Sequence, residues 1–133
     1  MKTILSPFVL AFALFQCAHA QSVRPILSIE PDKAYDNIHL EKVYSDSNCT
    51  AFIIWVKQGV RPHYHAHHTE SLYVLSGKGI MQMGDKKLEI KAGDYFTIPE
   101  KMVHAVEVVG DDPLKVLSIQ SPEFLGKDRI FVE

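Results

Sequence analysis

Between residues 38 and 120 apolar and polar positions alternate in short runs, and each run stops at a cluster of turn-forming residues. Residues 38–44 (IHLEKVY) and 49–57 (CTAFIIWVK) flank the polar stretch Ser45-Asp46-Ser47-Asn48. Residues 71–76 (SLYVLS) lead to Gly77-Lys78-Gly79, then 80–83 (IMQM) meet Gly84-Asp85, a strong hairpin signal. Residues 87–90 (KLEI), 95–99 (YFTIP), 102–109 (MVHAVEVV) and 114–120 (LKVLSIQ) follow, separated by Lys91-Ala92-Gly93-Asp94 and Gly110-Asp111-Asp112-Pro113. A period of two places successive side chains on opposite faces, so each run predicts a half-buried strand. No window holds a capped helical period; at most a turn is expected near the C-terminus. Short, evenly spaced strands with Gly/Asp turns predict one all-β domain, a sandwich or barrel with alternate side chains pointing inward.

The first residues break this pattern. MKTILSPFVLAFALFQCAHA has one basic residue, Lys2, an apolar run over 4–15, and a small-x-small ending at Ala18-His19-Ala20. This is the pattern of a secretion signal, residues 1–20, and the run is shorter than the about 20 residues a spanning helix needs. Leu14-Phe15-Gln16-Cys17 is similar to a lipoprotein processing site, but bulky Gln16 before the cysteine argues against that. Export to a periplasm or the outside is expected, with no membrane attachment after cleavage. Residues 21–36, with Pro25 and Pro31, read as an extended N-terminal arm, and 37–133 as the barrel domain. Cleavage would leave Cys49 as the only cysteine, so the core rather than a disulfide must stabilise the fold. Asn48-Cys49-Thr50 fits a glycosylation acceptor, relevant only to a eukaryotic secretory pathway.

The chain of 133 residues is 47% hydrophobic and 23% charged, with a net charge of −2. That balance fits a soluble globular domain and offers no basic surface for nucleic acid. Four of the 7 histidines fall in the stretch VRPHYHAHHTESLYVLSG: His63, His65, His67 and His68. In an extended segment His63, His65 and His67 share a face, whereas Tyr64, Ala66 and His68 take the other. Two imidazoles at that spacing can direct one nitrogen each at a common ion. Glu70 follows shortly, and His104 lies in the run 102–109, so a site of three nitrogens and one oxygen is available. Such a set suits Fe, Mn, Ni, Cu or Zn and leaves coordination open for substrate or water.

These residues also carry a resemblance. His63, His65, Glu70 and Gly77 match H-x-H-x₄-E-x₆-G, the first motif of the cupin family. Gly93, Pro99 and His104 match the second, G-x₅-P-x-G-x₂-H-x₃-N, with Lys101 in place of its glycine and Val108 in place of its asparagine. Three residues rather than the usual five separate Gly59 from His63. The resemblance covers about residues 38–120 and implies a jelly-roll barrel. It also implies one divalent transition metal held by His63, His65, Glu70 and His104. With Lys101 at the glycine position, the loop before His104 is expected to take a different shape.

Cupins with this ligand set include dioxygenases, decarboxylases, isomerases and lyases, and others that only bind small molecules; fold alone does not choose among them. In the enzymes the metal polarises a substrate oxygen or activates O₂ or water, and a side chain moves a proton. The chain is therefore expected to act on a small polar molecule (a carboxylate, sugar acid or aromatic), the alternative being a noncatalytic binding protein. Glu70 is the expected ligand and base, with His67 or Tyr64 as a second acid/base. His67 could instead replace His63 in the register His65, His67, Glu70. His68 is expected to be a surface histidine, and His39 carries no hypothesis. Arg61 beside the ligand strand could fork onto a substrate carboxylate, although solvation is the stronger expectation. Gln82 and Gln120, polar inside apolar runs, are expected either to contact a ligand or to lie at an exposed edge. By resemblance the protein is a homodimer, and the arm could add a strand to a neighbour.

Overall fold

Strands form in every alternating run, and two more, over 59–64 and 130–131, form outside them. The described helical turn, Ile26–Ser28, lies in the arm and not near the C-terminus, where a turn was expected. The structure is a computed structural model and describes residues 23–132, so the expected leader 1–20 lies outside the described residues. In chain order the strands are β1 (Ile38–Ser45), β2 (Thr50–Val56), β3 (Gly59–Tyr64), β4 (Thr69–Ser76) and β5 (Lys78–Met83). They continue as β6 (Lys86–Lys91), β7 (Tyr95–Ile98), β8 (His104–Val108), β9 (Leu114–Ser121) and β10 (Ile130–Phe131). One sheet has the order β1-β2-β9-β4-β7 and the other β10-β3-β8-β5-β6, with neighbouring strands antiparallel. The all-β, two-sheet architecture agrees with the sequence pattern.

The core is the space between the two inner faces. Phe52, Ile54 and Val56 from β2, Leu72 and Val74 from β4, and Leu114 and Val116 from β9 meet Met81 from β5 and Ile90 from β6. Each such side chain, taken from water, contributes about 1.5–3 kcal/mol before chain entropy is counted. Gly77 closes the β4–β5 turn at φ +79°, where a Cβ would sit 2.6 Å from the Pro113 carbonyl oxygen, so no other residue fits without movement.

One irregularity decides what faces the core. Val60 pairs with Val106 and His63 with His104, so β3 spends one more residue than β8 over the same span. This β-bulge at Arg61-Pro62 turns Val60 and His63, three positions apart, to the same inner face. Proline, with no N–H to give a ladder, is at home there.

The arm covers part of the outer face of the first sheet, over β1, β2 and β9. Lys115, between inward Leu114 and Val116, points outward and is nonetheless buried. Its Nζ donates to the carbonyls of Leu27 at 2.9 Å and Ile29 at 2.6 Å, and lies 5.4 Å from the Trp55 ring centroid. His39 Nε2 lies 3.2 Å from the Asp32 carboxylate, and Arg24 pairs with Glu41 at 2.6 Å. The described part of the arm is thus spread on its own sheet, not presented as a strand. Charged hydrogen bonds to buried carbonyls are worth about 1.5–3 kcal/mol each. Lys115→Met, which keeps the stem and deletes the ammonium, is expected to lower stability by about 2 kcal/mol. It should also speed tryptic cleavage after Lys33 while the barrel stays folded. Unchanged cleavage would show that the apolar contacts alone hold the arm.

Candidate metal centre

Each sheet contributes part of the polar cluster at one end of the core. In the second sheet His63 on β3 and His104 on β8 are direct cross-strand partners, with ring centroids 4.1 Å apart. In the first sheet Glu70 on β4 pairs with Gln120 on β9, and Ser118 is the next inward residue of β9. His65 belongs to no strand; it follows the last residue of β3, and its ring is 2% exposed. One ligand atom each from His63, His65 and His104 lies within 4.8 Å of the others.

The hydrogen bonds of these rings specify where their lone pairs point. His63 Nδ1 bonds the Arg61 carbonyl at 2.8 Å, His65 Nδ1 the Asp128 carbonyl at 2.7 Å, and His104 Nδ1 the Met102 carbonyl at 3.0 Å. A carbonyl only accepts, so each Nδ1 carries the proton and, in the neutral ring, each Nε2 is a bare lone pair. His65 Nε2 is buried with no hydrogen-bond partner. Burial first, then the neighbouring His104 charge, push the His63 pKa down to about 4, so this ring is neutral at pH 7.

Glu70 completes the cluster. Its Oε2 lies 3.6 Å from His65 Nε2 and 3.5 Å from His104 Nε2. Its Oε1 accepts from Ser118 Oγ at 2.5 Å and from Gln120 Nε2 at 3.3 Å. Burial alone would raise the carboxyl pKa, but His104, His65 and Ser118 outweigh it and hold the group well below the ordinary carboxylate range. A proton on Nε2 joins either ring to the carboxylate, whereas with both rings neutral their lone pairs face that oxygen and repel it. A divalent cation among them converts that repulsion into coordination. The donor set of three imidazole nitrogens and one carboxylate therefore fits a transition metal. His63, Glu70 and His104 also line a cavity of about 560 Å³ including its opening, otherwise walled mainly by apolar side chains such as Ile54, Leu72, Met81 and Phe96.

The loop carrying His65 is gripped by a residue far along the chain. Asp128 Oδ1 accepts the Ala66 amide at 3.0 Å, and Oδ2 accepts the His67 amide at 2.9 Å and the His68 Nδ1–H in a very short contact. His68 Nε2 donates to the Glu123 carbonyl at 2.9 Å. Both ring nitrogens thus face acceptors, which describes an imidazolium. Burial opposes that charge, but Asp128 and the Glu123 carbonyl prevail and raise the His68 pKa. Burial likewise opposes the Asp128 carboxylate, whose pKa is lowered by His68 and the two amides. The expectation of a surface His68 is corrected: it is 6% exposed, because an ion pair compensates its burial. On the other side of the loop, the Lys101 amide donates to the His65 carbonyl at 2.7 Å. Lys101 has φ +64°, so the turn before His104 keeps the left-handed residue that a glycine supplies most cheaply, contrary to the expected change of shape.

The structure brings His63, His65, Glu70 and His104 together and leaves His67 and Tyr64 apart from them. His67 is exposed, and only its backbone amide is engaged. Tyr64, half-buried, alternates with His63 on β3 and so points away from the cavity it was expected to serve. Arg61 is exposed and stacks over Phe131, 4.5 Å from its centroid. Gln120 is buried against Glu70, and Gln82 donates to the Gly84 carbonyl in its own turn. Sequence reasoning missed Ser118, Asp128 and Arg129, the last of which lines the cavity. Ser118 had a signal, being a polar residue in the inward frame Leu114, Val116, Ser118, Gln120.

Comparison with known proteins gives concordant results. A family profile described as the cupin domain matches residues 51–120. An uncharacterised protein of Aquifex aeolicus is 33% identical over 104 residues, 78% of this chain and 85% of the relative. The mannose-1-phosphate guanylyltransferase RfbM of Salmonella typhimurium is 34% identical over 88 residues, 65% of this chain, which is similar to only 18% of that enzyme. Among solved structures, KdgF from Halomonas sp. superposes with a TM-score of 0.65 at 20% identity, over 73% of this chain and 89% of that one. At that identity the likeness concerns the fold.

A left-handed lysine is strained by about 1–2 kcal/mol, partly offset by the greater freedom of glycine when unfolded. Lys101→Gly is therefore expected to stabilise the protein by about 0.5–1 kcal/mol in urea unfolding, and a loss of stability would refute the strain. The His68–Asp128 pair predicts a pH window. His68, raised above 6.5, contributes stability that is complete below pH 6.5 and lost as pH rises through its folded value. Asp128, lowered below 3.8, contributes stability present above pH 3.8 and lost as pH falls through its folded value. His63, depressed to about 4, acts oppositely to His68: its contribution is complete above pH 6.5 and lost as pH falls through about 4, so the readout must be local. Exchange protection of the Ala66 and His67 amides, corrected for intrinsic rates, should peak between pH 3.8 and 6.5 and drop throughout in Asp128→Asn. A flat profile would sink the ion-pair assignment.

Proposed function

Because the chain belongs to the cupin family, we propose that it is a metal-dependent enzyme acting on a small polar molecule held inside the barrel. The observation that carries this reading is the convergence of one ligand nitrogen each from His63, His65 and His104, with Glu70 Oε2 3.5–3.6 Å from two of them, at a buried end of an otherwise mainly apolar cavity. His63, His65, His104 and Glu70 would hold one divalent transition metal: Fe, Mn, Zn, Ni or Cu. When bound, the metal supplies Lewis acidity to a substrate oxygen. The chain supplies the rest. The three Nδ1–H···O=C bonds keep the Nε2 lone pairs aimed without any rearrangement. Ser118 and Gln120 occupy Glu70 Oε1, so Oε2 remains the oxygen that faces the site and can exchange a proton with substrate. The apolar walls exclude water and favour the reaction classes expected of this ligand set, namely dioxygenase, decarboxylase, isomerase and lyase chemistry. The leader-like pattern of residues 1–20 supports a secreted or periplasmic protein, and the family supports a homodimer.

A second reading, a binding protein whose metal anchors a ligand, has one observation in its favour: among the described residues no proton-transfer group beyond Glu70 and the histidines lines the cavity, the Arg129 guanidinium being permanently charged. Metal-dependent turnover that is lost in Glu70→Gln would decide for the enzyme. The primary test is elemental analysis of residues 21–133 purified without chelator or histidine tag. The expected result is close to one metal per chain, none in a His65→Ala/His104→Ala variant that remains folded by circular dichroism, and about 10–100-fold weaker binding in Ser118→Ala. No metal even after reconstitution would overturn the proposal.

A further inference from the structure

The tail that grips the histidine loop also delivers a cation to the cavity. Arg129 lies between Asp128, whose carboxylate and carbonyl are both engaged by the loop, and Ile130, paired with Tyr64 in β10. With its backbone held on both sides, its side chain lines the same cavity as His63, Glu70 and His104. Its Nε is buried and has no hydrogen-bond partner. Glu70, the one carboxylate of the cavity wall, does not pair with it among the described residues, being committed to Ser118, Gln120 and the histidines. Arg129 as a whole is half-buried, but its Nε–H is shut off from water without an acceptor, which is costly, and a metal ion nearby would add like-charge repulsion. Both penalties vanish when an anion lies between them.

We propose that Arg129 is the anion-recognition residue of this cavity and that its ligand is a small monocarboxylate with an apolar body. The planar guanidinium matches a carboxylate through two parallel N–H···O bonds. Apart from the histidines, no second basic side chain among the described residues lines the cavity, so a single charge is matched better than a doubly charged phosphate. The surrounding Ile54, Leu72, Met81 and Phe96 suit a hydrocarbon remainder, not a polyhydroxylated one. This inference names the substrate class of the site proposed above and rests on that reading for the metal on the other side of the carboxylate. Arg129 thus takes the part that the sequence offered to Arg61.

The test is titration of residues 21–133, metal-loaded and metal-free, with butyrate, its neutral amide butyramide, and propylphosphonate. Binding is followed by calorimetry and by the NMR signal of the Arg129 Nε–H. Butyrate is expected to bind saturably and shift that signal, with butyramide binding at least about tenfold more weakly. Arg129→Gln should lose about tenfold or more in butyrate affinity, and Arg129→Lys, which keeps the charge without the fork, should recover part of it. Equal binding of the amide, unchanged affinity in Arg129→Gln, tighter binding of the phosphonate, or no binding of butyrate would each overturn the proposal. Metal content measured on the same samples separates the two readings. Metal retained without carboxylate selectivity removes only the role of Arg129; carboxylate binding retained without metal removes only the metal centre.

Discussion

The grip of Asp128 on the His65–His68 loop is the constraint on which the polar end of the barrel depends. His63, His104 and Glu70 are carried by strands, and the sheet ladders place them. His65 has no ladder of its own. Its ring is oriented by the Asp128 carbonyl, its backbone is tied to Lys101, and the residues after it are held by the Asp128 carboxylate. A residue outside both histidine motifs thus controls the one ligand candidate that the strands cannot. The same segment positions Arg129, so loop geometry and cavity charge are coupled through one stretch of backbone.

Placing ionisable groups in an apolar interior is expensive unless each has a partner, and the site meets this condition unevenly. Nδ1 of His63, His65 and His104 each has a carbonyl, Glu70 Oε1 has two donors, and the charge on His68 has Asp128. The groups left over are His65 Nε2, one oxygen of Gln120 and Nε of Arg129. Two of the three belong to residues of the loop and tail that meet at the cluster, and the third belongs to the partner of Glu70. Unspent hydrogen-bonding capacity thus gathers at one end of the fold, where a metal and a ligand would use it.

Much of this was legible in the chain. Period-two alternation located the strands, because antiparallel strands with one face on a core must alternate. The spacing of His63, His65, Glu70 and His104 anticipated their meeting, because that meeting follows from alternation within strands and the motif offsets. Alternation also fails where it is interrupted. The bulge at Arg61-Pro62 shifts the frame of β3 by one residue, and Pro62 was its only visible sign. Tyr64 and His67 were weighed as chemistry by proximity in sequence, yet a one-residue step on a strand reverses the side chain, and the loop turns His67 to solvent. Asp128 and Arg129 were invisible because their contacts bridge about sixty positions, a separation that no local pattern encodes. The burial of His68 was missed for the same reason: its partner is Asp128.

The covering of Lys115 by the arm has an optical consequence. Trp55, the only tryptophan, is 3% exposed on the face of β2 opposite the cavity, with the Lys115 ammonium beside its ring. The ring also lies 5.5 Å from that of His39, and both neighbours are tied to the arm, Lys115 at Leu27 and Ile29 and His39 at Asp32. Intrinsic fluorescence of this protein therefore reports the docking of residues 23–36 on the outer sheet, whereas events at the histidine cluster, on the far side of β2, need a probe of their own.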